Sequence, residues 1–112
     1  MNEPDATSGA ADAVVSSHDG DSVVTRVVNI VNRRGLHARA AARFVKLAAT
    51  FDAQVSVVKR DSVVSGLSIM GLMMLAAGPG TTVTVSAKGP EAQAAVDALA
   101  GLIAYKFNEE GV

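Results

Sequence analysis

The chain has 112 residues, 49% of them hydrophobic, and a formal net charge of −1, which fits a single small domain able to bury a core. It contains no cysteine, which excludes disulfides, thiol catalysis and Cys-based zinc sites and suits a reducing compartment. The charge is unevenly spread: residues 1–22 carry Glu3, Asp5, Asp12, Asp19 and Asp21 without a Lys or Arg, whereas residues 23–112 carry ten basic residues against six acidic ones.

Residues 1–22 are rich in Ala, Ser, Gly and Asp and have no aromatic residue. They read as a disordered acidic tail ahead of a domain spanning 23–112. His18 within the tail reads as a solvated residue, not a ligand. The stretch has neither a basic n-region nor an apolar core, so no secretory leader is expected. The longest apolar run, Ile69 to Ala77, is far short of the roughly 20 residues of a membrane span. A cytoplasmic location without membrane contact is therefore expected.

The β-branched stretch 22–31 predicts a first strand, with Val28 and Ile30 on one face. From Ala38 the period changes. Ala41, Phe44, Val45 and Ala48 stand at i, i+3, i+4 and i+7, one face of a helix. Residues 54–59 predict a second strand, Asp61 a turn, and 62–65 a short third strand. A short apolar helix over 68–75 is closed by the Gly- and Pro-containing segment 76–80. Residues 82–87 alternate, with Val83, Val85 and Ala87 on one face, as in a strand covered on one side. After Pro90 a long helix is predicted from about Glu91 to Phe107, with Ala92, Ala95, Val96, Leu99 and Ile103 on its inner stripe.

The order β-α-β-β-α-β-α predicts an α+β fold: an open-faced two-layer sandwich with a four-stranded antiparallel sheet and three helices on one face. The β-α-β opening leaves a gap between strands 1 and 2 that strand 4 can fill, giving the order 1-4-2-3.

The chemistry concentrates where the first helix begins. Helices usually start on Ser, Thr, Asp or Asn, but here the joint falls on His37. A helix N-terminus presents unpaired N–H groups and about half a positive charge, which favours anions. Neutral imidazole is a competent nucleophile near pH 7. A phosphoryl group on the ring would meet the first-turn amides, and Arg39 can offer its planar fork to the phosphate oxygens. Arg33, Arg34, Arg43 and Lys46 add positive charge, with no acidic residue between 33 and 46. Phosphoryl transfer needs mainly positioning and charge stabilisation. An ordinary loop histidine beside a solvated arginine face is the plainer interpretation of the same composition.

Two segments in register carry a resemblance. NRRGLHARAAARFVKLA (32–48) and SGLSIMGLMMLAAGPGTTVTVSAKG (65–89) resemble the active-site and regulatory-serine segments of the HPr family. These are histidine-containing phosphocarriers of the phosphoenolpyruvate-dependent phosphotransferase system. With the last helix, the resemblance spans about residues 24–110. It implies that His37 accepts a phosphoryl group on Nδ1 from enzyme I and passes it to IIA-type proteins, supported by Arg39. It implies that Ser68 is the serine phosphorylated by an ATP-dependent HPr serine kinase/phosphorylase. Such a protein is a stoichiometric carrier, not an enzyme; no cofactor or metal is expected, and a monomer is. The proline of the family motif Gly-Leu-His-x-Arg-Pro-Ala is replaced by Ala40. Alanine restores an N–H and keeps helix propensity. The branch, sugar uptake or a nitrogen-type regulatory relay, stays open.

Ile69, Met70 and Met73 are expected to form an exposed docking patch for partners, while Leu72 and Leu75 are expected in the core. Two other function classes compete. One is a regulatory interaction protein of the same fold without relay activity, and His37 argues against it. The other is a basic nucleic-acid-binding module. Only 4% of residues are aromatic, and no strand carries the stacking residues such modules use.

Overall fold

The computed structural model describes residues 23–108. The expected acidic tail over 1–22 lies outside them. Runs of Val and Thr form four strands: β1 (Val23–Asn29), β2 (Gln54–Lys59), β3 (Ser62–Ser65) and β4 (Thr82–Lys88). Branched side chains pack well on a pleated surface. Between them lie α1 (Ala38–Ala48) and α2 (Ile69–Met74), and α3 (Ala92–Ala104) follows β4. The sheet is antiparallel in the order β1-β4-β2-β3, as the sequence pattern predicts. Val23 pairs with Lys88 and Asn29 with Thr82; on the other side of β4, Gln54 pairs with Lys88 and Val58 with Thr84. β2 and β3 form a hairpin from Ser56–Ser65 to Lys59–Ser62, turned by Arg60 at φ 55.

Alternation decides which face is covered. Val55 and Val57 of β2 and Val83, Val85 and Ala87 of β4 are buried. They meet Phe44 of α1, Leu72 of α2, and Val96, Leu99 and Ile103 of α3 in one core. Each such side chain fully removed from water contributes roughly 1.5–3 kcal/mol before the entropy of ordering it is counted. α3 packs across β1 and β4, and α1 packs against both α2 and α3. Residues on the opposite sheet face, such as Val27 and Val63, stay exposed.

Two element ends differ from the sequence pattern. β1 stops at Asn29, not at 31, because Ile30 turns into the core and exchanges backbone hydrogen bonds with the loop before β4: Ile30 N–H donates to Thr81 O and Gly80 N–H to Ile30 O, both at 2.8 Å. The last helix does not run to Phe107. It ends at Ala104, and Lys106, Phe107 and Asn108 have φ of 57°, 57° and 62°. This left-handed turn folds Phe107 back until it is fully buried, and the Arg43 guanidinium of α1 donates to the Phe107 carbonyl. Burial of the ring and that charged hydrogen bond hold a backbone that L-residues otherwise avoid.

Candidate functional site

The loop after β1 is built around two residues that ordinary turn chemistry makes prominent. Asn32 is fully buried and its Nδ2 donates to Gly35 O at 2.9 Å. Gly35 sits at φ 65, and a Cβ there would lie 2.4 Å from the Ala77 carbonyl oxygen. No residue but glycine accepts both that conformation and that contact. Leu36 follows with its N–H donating to the same Ala77 carbonyl at 3.0 Å, and its side chain enters the core.

This loop delivers His37 to the start of α1 as its N-cap. Its backbone is extended (φ −76, ψ 178), and its N–H donates to Gly35 O at 2.9 Å. Its carbonyl accepts the first helical bond, from Ala41 N–H at 2.8 Å. The half-buried ring stands where a serine or aspartate side chain would cap: Nδ1 accepts from the Arg39 N–H at 3.2 Å. A nitrogen that accepts is unprotonated, so the neutral ring carries its proton on Nε2. The Nδ1 lone pair therefore lies at the positive end of α1, directed at a backbone donor.

Arg34, His37, Ala38 and Arg39 line an open concavity of about 480 Å³. A slightly larger one, about 510 Å³, lies between β1 and α3, lined by the Arg26–Asp97 ion pair and apolar residues. Its one carboxylate, Asp97, is paired with Arg26, so chemistry favours the first. Of the basic residues expected near His37, Arg34 and Arg39 line its concavity. Arg43 does not: its guanidinium is committed to Phe107 O at the far end of the chain. Lys46 lies in the last turn of α1, where a cation favours the helix C-terminus instead. Ala40, in the family's proline position, is fully buried beside Ala41; these two small residues let the first turn of α1 lie close against the body.

Ser68 is the N-cap of α2, extended at φ −110 and ψ 106, with Oγ accepting from Gly71 N–H at 2.9 Å. A Cβ at Gly71 would press on Ser68 Oγ at 3.0 Å and Val64 Cβ at 3.1 Å, so glycine lets the cap and β3 approach. Ile69, Met70 and Met73 are on the outside of α2, with Met70 67% exposed, while Leu72 and Leu75 are buried. Leu67 and Met74, which the sequence pattern did not single out, extend the apolar surface. Among the described residues no helix is long and apolar enough to cross a membrane, and no cluster of three or more His, Cys, Asp or Glu could hold a metal.

Residues 24–105 match a family model described as the PTS HPr component phosphorylation site. The Phosphocarrier protein HPr of Cupriavidus necator is 48% identical over 87 residues, covering 78% of this chain and 98% of that protein. The Phosphocarrier protein NPr of Shewanella violacea is 45% identical over 84 residues, covering 75% of this chain and 92% of that one. Among solved structures, HPr-C-His from Thermoanaerobacter tengcongensis superposes with a TM-score of 0.74 at 42% identity, over 78% of this chain and 98% of that chain. A histidine capping a helix beside two arginines, the sheet order and these relatives converge: the chain belongs to the HPr family of phosphocarrier proteins of the phosphotransferase system.

Proposed function

We propose that His37 carries the phosphoryl group, taking it on Nδ1 from phosphorylated enzyme I and handing it to a IIA-type protein. The supporting observation is the ring's position as N-cap, with Nδ1 3.2 Å from the Arg39 amide nitrogen. In the transfer, the Nδ1 lone pair forms a new N–P bond as the donor's bond to phosphorus breaks. The donor atom keeps the electron pair of the broken bond. The proton on Nε2 stays during the step, so the phosphorylated ring is cationic until that proton leaves. The Arg39 N–H loses Nδ1 as acceptor and gains a phosphoryl oxygen in the same direction. The guanidinium of Arg39, with Arg34 across the concavity, offsets the charge of the transferred group. The protein then acts as a stoichiometric carrier and substrate of its partners.

Ser68 supports a regulatory reading of the second helix. A phosphate there adds about −1.5 to −2 charge at pH 7 beside the exposed Ile69, Met70 and Met73. An apolar or acidic partner surface would have to desolvate or oppose that charge. An ATP-dependent serine kinase of the HPr type is the expected source.

Incubation with enzyme I and labelled phosphoenolpyruvate, followed by candidate IIA-type domains from sugar and nitrogen-type branches, tests the relay. Label is expected on His37, lost in acid and kept in alkali as a phosphoramidate should be, and then transferred to one branch in preference. Labelling of His37→Ala would overturn the assignment.

A further inference from the structure

The segment joining α2 to β4 closes one helix and supports the loop that starts another. Leu75 ends α2 in a right-handed conformation (φ −67, ψ −19), and Ala76 then turns left-handed at φ 52. Glycine takes that conformation without steric cost; alanine does not. The last carbonyls of a helix also lack intrahelical donors. Both are answered by Lys59, the last residue of β2. Its Nζ lies 2.9 Å from Leu75 O and 3.2 Å from Ala76 O, on a half-buried side chain. An ammonium has three donors and suits the negative end of a helix.

The next residue, Ala77, is buried, and its carbonyl is the one that accepts from Leu36 N–H and abuts Gly35. A covalent and hydrogen-bonded line thus runs from the Lys59 ammonium through Ala76 and Ala77 to Leu36, the residue before His37. A left-handed alanine persists only where its surroundings over-determine it, and here the lysine ammonium meets the carbonyls on both sides of the Ala76 Cα.

We propose that Lys59 is a positioning residue for His37. Its ammonium holds the left-handed end of α2, which fixes the Ala77 carbonyl, and that carbonyl sets the seat of Gly35–Leu36 against which the His37 ring is aimed. The inference rests on His37 as the phosphoryl carrier. Removing the ammonium frees Ala76 to relax towards negative φ and displaces the Ala77 carbonyl. Leu36 then follows its acceptor or loses it, and the ring no longer meets the Arg39 amide at capping distance.

The experiment compares full-length wild type, Lys59→Met and Lys59→Arg. Amide and imidazole nitrogen resonances are recorded on the unphosphorylated proteins, and enzyme I-dependent labelling is followed at varied donor concentration. Lys59→Met keeps the apolar stem and loses the donors. It is expected to move the Leu36, His37 and Arg39 amide resonances and the His37 ring nitrogens. It is also expected to lower the maximal transfer rate about tenfold, the scale of a small misplacement of reacting groups, with the half-saturating donor concentration unchanged. Lys59→Arg restores both. Unmoved Leu36 and Arg39 amides, or a wild-type transfer rate, would overturn the proposal. Should Lys59→Met not fold, Lys59→Gln, which keeps one donor, is expected to show intermediate displacement, and unmoved amides there overturn it equally. Failure of wild type to take label strikes the His37 assignment instead, and the resonance comparison still judges Lys59.

Discussion

Two helices of this protein start in the same way on different chemistry. His37 and Ser68 are both extended N-caps, and each uses a side-chain atom to accept an amide of the first turn: Nδ1 from Arg39, Oγ from Gly71. Around His37 stand Arg34 and Arg39; around Ser68 stand Ile69, Met70 and Met73. A hydroxyl is a favoured cap and a poor nucleophile at neutral pH, whereas imidazole is the reverse. One geometry thus serves a helix that presents an imidazole among cations and a helix that presents an apolar surface.

Exchanging the first cap tests the contrast most severely. His37→Ser should lose enzyme I-dependent labelling completely and keep or raise stability, by up to about 1 kcal/mol for the better cap, measured by urea denaturation. A marked loss of stability would show that the imidazole holds the loop as well as the phosphate. Next in size, Arg39→Ala should slow transfer about tenfold or more, the worth of a charge-assisted hydrogen bond, with the circular dichroism spectrum unchanged. An unaltered rate removes Arg39 from the site.

The second helix is tested on its surface. Met70→Asp should weaken enzyme I binding by several-fold in titration calorimetry, while unfolding stability stays within about 0.5 kcal/mol, as for an exposed position. A large loss of stability would contradict the exposure of that side chain. The smallest effects fall on Ser68 itself. Ser68→Ala should cost about 1 kcal/mol of stability through the lost cap and transfer normally. Ser68→Asp should retain the cap and transfer more slowly. Equal transfer in wild type, Ser68→Asp and authentically phosphorylated protein would make Ser68 a cap only.

Sequence pattern exposed the parts of this structure that depend on local period. The alternation in β4 and the 3–4 spacing of Ala41, Phe44, Val45 and Ala48 set the layers, and the strand order follows from filling the β-α-β gap. The capping position of His37 was legible because a helix joint without a usual cap stands out. Features resting on distant partners were not. Arg43 reads as one more cation of the His37 cluster, since nothing local announces a carbonyl at Phe107. The turn at 106–108 has no glycine to mark it. Asn32 reads as a turn residue, although it is buried to hold Gly35. Lys59 reads as the polar end of a strand, although its partners lie at the end of α2.

The pairing of β1 with β4 also bears on how the protein is made. The first strand of the described domain finds its neighbour in the last one, with Val23 opposite Lys88. As the chain leaves the ribosome, β1 and the His37 loop emerge long before the strand that must sit between β1 and β2. Contacts of such sequence separation form slowly because most of the chain must close first. The β2–β3 hairpin and α2 can assemble early, but Ile30 has no Thr81 to receive its N–H and Leu36 no Ala77 until those residues are made. The loop that carries His37 thus gains its backbone partners only once the residues up to Thr81 have been made.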